Sequence, residues 1–129
     1  MRVESDHDAG DGEVSDVLAE WMELEGQRHL TWIAEDGTVP IGMIWLALLP
    51  RVPRPHLRDR WSGDIQTFWI RPDHRRRGLG RRMLDEIVDE ADRRGLERVV
   101  VHSSEGAVSI YESVGFTPYS LLLNRRRPE

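Results

Sequence analysis

The densest chemistry in this chain lies in one stretch, Arg71-Pro72-Asp73-His74-Arg75-Arg76-Arg77-Gly78-Leu79-Gly80. Gly78 and Gly80 carry no Cβ, so a ligand can approach the backbone closely. From Leu79 onward Met83, Leu84, Ile87, Val88 and Ala91 recur at helical spacing as far as Gly95, so the glycines open a helix. The first amides of a helix lack intrahelical acceptors, and its dipole places partial positive charge there. Arg75, Arg76 and Arg77 add cationic side chains beside those amides. Arg81 and Arg82 in the first turn oppose the dipole, a cost that a bound anion would relieve. This combination predicts a site for phosphate or pyrophosphate.

Proton chemistry has fewer candidates. Tyr111 is a phenol, a class with an unperturbed pKa of about 10, so it can donate a proton at neutral pH. Asp64 and Gln66 lie two residues apart on an extended segment and so share a face, with Trp69 placed on the other face beside Ile65 and Thr67. Asp64 could accept a proton directly or through water, with His56 and His102 as rivals.

Several elements must position these groups. Asp64 to Arg71, rich in aromatic and β-branched residues, reads as a strand leading into the glycine stretch. Val14, Val17, Leu18, Trp21 and Met22 describe an amphipathic helix ending near Gly26. His29 to Ala34 and Val39 to Leu49 read as strands joined at Asp36-Gly37. Both alternating sets of the second strand are apolar, so both its faces should be covered. Residues 50–60 hold three prolines and read as a stiff connection. Arg51, Arg54 and His56 there would meet an acidic acceptor if the loop walled a site. Glu97 to Ser103 reads as a strand, Ser104 as an N-cap, Glu105 to Val114 as a helix and Phe116 to Leu123 as a last strand.

With 129 residues the chain is one domain. It has no cysteine, hence no thiolate nucleophile and no cysteine-based metal site. No apolar run reaches spanning length and the start is acidic, so a cytoplasmic protein with no membrane partner is expected. The net charge of −5 is uneven. Residues 1–25 hold nine acids against one Arg, while residues 26–129 hold fourteen acids against seventeen Arg. The mildly basic body suits an anionic cofactor. Residues 1–13 are polar and acidic and read as a disordered tail; residues 14–124 form the domain and 125–129 a basic tail.

The spacing Arg75-x-x-Gly78-x-Gly80 resembles the cofactor loop of the GNAT superfamily of N-acetyltransferases. Ala107-x-x-x-Tyr111-x-x-x-Gly115-Phe116 resembles the later helix and turn of that family, with a strand correctly between the two. The resemblance covers roughly residues 28 to 124. It implies an α/β (α+β) fold: a mixed, mainly antiparallel twisted sheet of about 5–6 strands, helices on both faces, and a V-shaped split between two central parallel strands. It implies acetyl-CoA as co-substrate, with no metal, and a primary amine as acceptor. Arg75, Arg76, Arg77, Gly78, Leu79, Gly80 and Arg81 would hold the pyrophosphate, and the backbone of Phe68 and Ile70 the pantetheine arm. The Ile70 amide would polarise the thioester carbonyl, with Tyr111 as general acid; the resemblance fixes no single base, and that role stays with Asp64 against its rivals His56 and His102. Ser104, where the family often has Asn, and Ala107 would complete the cofactor site.

Besides Ser104, a second departure shapes the expectations. No counterpart of the family's first strand and helix is found before Val14. The sheet edge and the faces of Trp32 and Trp45 would then need other cover, which predicts a homodimer using this side or residues 119–123. The alternatives are an acyl-CoA-binding module of the same fold without turnover, and a nucleic-acid binder using the arginines. The acidic start and the lack of interleaved aromatics oppose the latter.

Overall fold

A computed structural model describes residues 2–5, 13–26, 28–75 and 77–128. Among these residues five strands form one sheet in chain order: β1 (Arg2–Ser5), β2 (His29–Asp36), β3 (Val39–Arg51), β4 (Arg60–Ile70) and β5 (Val99–Val101). The pairs β1–β2, β2–β3 and β3–β4 are antiparallel and β4–β5 is parallel, because a helix carries the chain back between the last two. Helix α1 (Glu13–Glu25) precedes β2, α2 (Leu79–Arg94) links β4 to β5, and α3 (Val108–Ser113) follows β5.

The helices cover opposite faces. Gly42, Ile44, Leu46 and Leu48 of β3 face α2: a Cβ on Gly42 would meet Met83 Sδ at 2.9 Å, and Leu46, Met83, Leu84 and Ile87 are fully buried. On the other face, Trp21 of α1 packs edge-on to Trp45, ring centroids 5.8 Å apart, and on His29 at 4.5 Å. The double apolar alternation of β3 therefore does report a strand buried on both sides.

α2 follows its sequence closely. It ends at Gly95 in the left-handed region (φ 68°), with Leu96 N–H donating to Ala91 O at 3.0 Å. Arg93 and Arg94 in the last turn suit the dipole.

Three expectations are corrected. Arg2–Ser5 is a strand, not part of a disordered tail, and the sheet starts there rather than after residue 14; residues 6–12 lie outside the described residues. An edge strand is held by backbone bonds to one neighbour, here in the register Val3↔Ala34 and Ser5↔Trp32, and needs no apolar run of its own. The expected bare edge beside β2 is thus covered by β1, and Trp32 and Trp45 are 3% and 6% exposed, Trp45 lying against Trp21 of α1. Residues 105–114 form a 3₁₀ turn (Glu105–Ala107) followed by the short α3, and Ser104 makes no side-chain cap. Residues 116–123 form no strand: Pro118 lacks an N–H, and a turn brings Leu122 N–H to Tyr119 O at 3.3 Å.

Candidate active site

The site is built by β4. Its first half pairs on both sides, with β3 throughout and with β5 at Gly63↔Val99, Asp64↔Val100 and Ile65↔Val101. The β5 pairing stops at Ile65, whereas β4 runs on to Ile70. The two parallel strands therefore part, and the expected split is present.

A bulge sits where they part. Gln66 is opposite Trp45 and Trp69 is opposite Met43, so two residues of β4, Thr67 and Phe68, face the single Ile44. Thr67 adopts φ 52°, an outlier for a β-branched residue. Strain of this kind is worth on the order of 1–3 kcal/mol and collects at functional sites. The extra residue inverts the alternation beyond it. Ile65 is opposite Leu46 and Ile70 opposite Gly42, so Ile65, Phe68 and Ile70 all face α2. Asp64, Gln66 and Trp69 share the face of α1. Trp69 is thus beside Asp64's face after all, contrary to simple alternation.

The bulge also aims the backbone. Arg71 N–H donates to Ile41 O at 2.7 Å, which makes that pair the hydrogen-bonded kind. The neighbouring pair Gly42↔Ile70 is then the other kind, with both backbone groups of Ile70 turned away from β3 and into the split. Phe68, two residues earlier, is turned the same way. Before the bulge it is Gly63 that points outward, and its N–H donates to Arg98 O at 2.8 Å.

Past β4 the chain is tied down. Pro72–His74 form a 3₁₀ turn. His74 reaches Asp73 at 2.9 Å and Asp36 of the β2–β3 turn at 3.4 Å, and its contact holds the Asp73 carboxyl below its usual range. Arg75 Nε donates to Ile70 O at 3.1 Å, folding the loop over the strand end. Arg76 lies outside the described residues, while Arg77, Arg81 and Arg82 are exposed. Arg82 N–H donates to Gly78 O at 3.1 Å, so Leu79, Gly80 and Arg81 precede the ladder of α2. No acidic residue occupies the first turn.

The two glycines have different reasons. Gly78 is in the left-handed region (φ 77°) with open space where a Cβ would be. Gly80 is buried, and a Cβ there would meet Ile110 Cδ1 at 2.9 Å and Ile70 Cδ1 at 3.1 Å. Only Gly78 leaves the backbone open to a ligand; Gly80 lets α2 lie close on the sheet.

Tyr111 is 6% exposed, edge-on to Phe68 (6.3 Å) and to Phe116 (5.5 Å). Burial pushes its phenol above the usual range. Ala107, one helical turn earlier, packs on the core, and Ser104 is exposed. Asp64 is half-buried and accepts a long hydrogen bond from Gln66 Nε2 at 3.4 Å. The loop with Arg51, Arg54 and His56 lies at the opposite end of β4, roughly 30 Å from Ile70 by strand rise, and is no wall of this site.

Sequence reasoning passed over Thr67 and His29. No residue type announces a bulge. His29 opens β2 in the row His29↔Ala47↔Asp64, its ring tilted against Trp21, its buried Nδ1 without a partner among the described residues.

The chain is similar to known proteins in sequence and in fold. The family model described as Acetyltransferase (GNAT) family matches residues 3–116. The [ribosomal protein bS18]-alanine N-acetyltransferase of Escherichia coli K12 is 36% identical over 58 residues, 43% of this chain and 39% of that protein. The mycothiol acetyltransferase of Thermobifida fusca is 34% identical over 105 residues, 80% of this chain and 29% of that protein. The chain thus spans about two fifths or less of the length of these curated relatives. A predicted acetyltransferase of Clostridium acetobutylicum, solved with acetyl-CoA, has the same fold: TM-score 0.73 at 21% identity, covering 92% of this chain and 78% of that one. With a parted strand pair, a bulge that aims backbone into the gap and a glycine-led helix beside it, the chain belongs to the acetyltransferase (GNAT) family.

Proposed function

We propose that the protein is an acetyl-CoA-dependent N-acetyltransferase that moves an acetyl group directly to a primary amine. The observation that carries this is the turn of the Phe68 and Ile70 backbone into the split beside the Gly78-led start of α2. The amides of Leu79, Gly80 and Arg81, with Arg75, Arg76 and Arg77, hold the pyrophosphate. Phe68 and Ile70 bind the pantetheine arm as an added strand would, with Ser104 and Ala107 on its far side.

The amine approaches from the α1 face, where Asp64, Gln66 and Trp69 lie. Its nitrogen attacks the thioester carbonyl, and the Ile70 N–H stabilises the oxyanion. The C–N bond forms as the C–S bond breaks. The sulfur takes a proton from the Tyr111 hydroxyl, and the ammonium proton leaves to Asp64 through water. The upward shift of the Tyr111 phenol keeps it protonated for this at neutral pH. In this reading the molecule also self-associates, on its C-terminal side.

Acetyl transfer to a panel of amines, including small amines and peptides with a free N-terminal alanine, tests the proposal by thiol release. Acetyl-CoA binding with no transfer to any acceptor would leave the non-catalytic binding module instead.

A further inference from the structure

The bulge in β4 decides which aromatic ring meets the acceptor. Without the extra residue, alternation from Asp64 and Gln66 would carry Phe68 and Ile70 onto the α1 face and turn Trp69 toward α2. With it, Phe68 and Ile70 face α2 and Trp69 takes the α1 face, opposite Met43. The protein thus holds Thr67 at φ 52° and leaves an indole 41% exposed. A left-handed threonine and a solvated indole both cost free energy in the free protein. A single exposed aromatic needs no explanation by itself; this one has a telling position. Its Cα leads into the peptide bond whose N–H belongs to Ile70, the group proposed to hold the thioester oxygen. The indole therefore stands one residue from the reacting carbonyl, on the side from which the amine comes.

The face changes character along β4. Before the bulge it presents Asp64, half-buried, and Gln66, exposed, in contact at 3.4 Å. There α1 covers the neighbouring strands, with Trp21 against Trp45 and His29. After the bulge it presents the half-buried Met43 and the exposed Trp69. We propose that Trp69, with Met43 beside it, selects the acceptor. The class selected is a primary amine whose first carbons bear an apolar group, aliphatic or aromatic. An arylalkylamine and a peptide that begins with a large apolar residue share this chemistry. The nitrogen lies toward Asp64 and the apolar group rests on thioether and indole. An amine with a hydroxyl at that place would lose its water without gaining a hydrogen bond, and is selected against. This inference rests on the acetyl transfer proposed above and names its acceptor.

The test uses the full chain with saturating acetyl-CoA. kcat/KM is measured for 2-phenylethylamine against ethanolamine, and for peptides beginning with Phe against the same peptides beginning with Ser. The apolar member of a pair should lead by about 10- to 100-fold. Trp69→Ala should bring that ratio close to one, mainly by raising KM for the apolar member, and Trp69→Phe should restore part of it. Acetyl-CoA affinity, read by calorimetry, reports whether each variant has kept its fold. A preference among the peptides alone names a peptide N-terminus as the source of the amine, and one among the free amines alone names a small molecule. Ratios near one in both pairs, or a ratio that Trp69→Ala leaves unmoved, overturn the proposal. A readout without turnover separates this from a failure of acetyl transfer. With coenzyme A bound, the apolar amine or peptide should shift the indole N–H resonance of Trp69, assigned from Trp69→Phe. The resonances of Trp32 and Trp61, on the α2 face, should stay in place. That shift without transfer to any amine overturns the transfer and supports the apolar amine site. No transfer and no shift overturn both.

Discussion

The two halves of β4 share a strand and differ in almost everything else. From Arg60 to Ile65 the strand is bonded on both sides and closed at its start by a charged clasp. Arg60, 8% exposed, donates to Glu97 through Nε at 2.8 Å and Nη2 at 2.9 Å, and to Val52 O at 2.5 Å. The clasp holds the Glu97 carboxylate below its usual range. It joins the proline-rich loop, β4 and the segment after α2. From Gln66 to Ile70 the strand carries a bulge, a left-handed threonine and backbone groups turned toward a gap. One half is satisfied on both sides by the protein itself; the other is paired with β3 alone and turns the Phe68 groups and the Ile70 N–H to the gap, the Ile70 carbonyl being held by Arg75. Unpaired backbone is costly unless something fills it, so such a half-strand marks a site better than any single residue.

Four changes break or sharpen this contrast. Tyr111→Phe should have the largest effect, lowering kcat by about 100- to 10,000-fold while acetyl-CoA affinity is kept, since the hydroxyl acts only as the sulfur leaves. Steady-state rates and calorimetry on the same variant separate the two. Gly78→Asp should weaken acetyl-CoA binding by about 10- to 100-fold. The strain of φ 77° is moderated because aspartate tolerates the left-handed region better than most residues, so the variant folds and places its carboxylate where phosphate belongs. Unchanged affinity would remove the anion site from α2.

Gly80→Ala addresses packing rather than binding. Its Cβ would press on the Cδ1 ends of Ile110 and Ile70, an overpacking cost at the low end of about 1–3 kcal/mol that a gain in helix propensity of up to about 1 kcal/mol partly offsets, so the denaturation midpoint should fall only slightly. Glu97→Gln should lower stability without touching acetyl-CoA affinity. The folded carboxyl of Glu97 is held below its unfolded value of about 4.3. Its contribution is therefore complete above that pH and lost as pH falls through the folded value. The gap in Tm between wild type and Glu97→Gln should close on acidification and stay constant from pH 6 to 8.

The contrast explains what could be read from residues alone. α2 was legible to the residue, because an apolar stripe and its flanking glycines are local signals. So was the parting of two parallel strands, through the resemblance carried by Arg75, Gly78, Gly80 and Tyr111. β1 was not: an edge strand is specified by its neighbour's free backbone, and Arg2–Ser5 has no pattern of its own. Residues 116–123 failed the other way: strand-like in composition, they are broken at Pro118 and turned between Tyr119 and Leu122. The face of Trp69 was misread because strict alternation assumes no bulge, and Thr67 shows a bulge only in three dimensions. Gly78 and Gly80 read alike in sequence, and only their surroundings separate a ligand-facing glycine from a packing one.

The amides of β4 that meet acetyl-CoA are the most direct test of the proposed site. Residue-resolved amide exchange by NMR, with and without saturating acetyl-CoA, measures them. Gly63 and Ile65 should exchange slowly in both states, because β5 already occupies that edge. Phe68 and Ile70 should exchange fast in the free protein and become protected on binding. Unchanged exchange at Phe68 and Ile70 under saturation would contradict the assignment of the open half of β4 as the cofactor-binding strand.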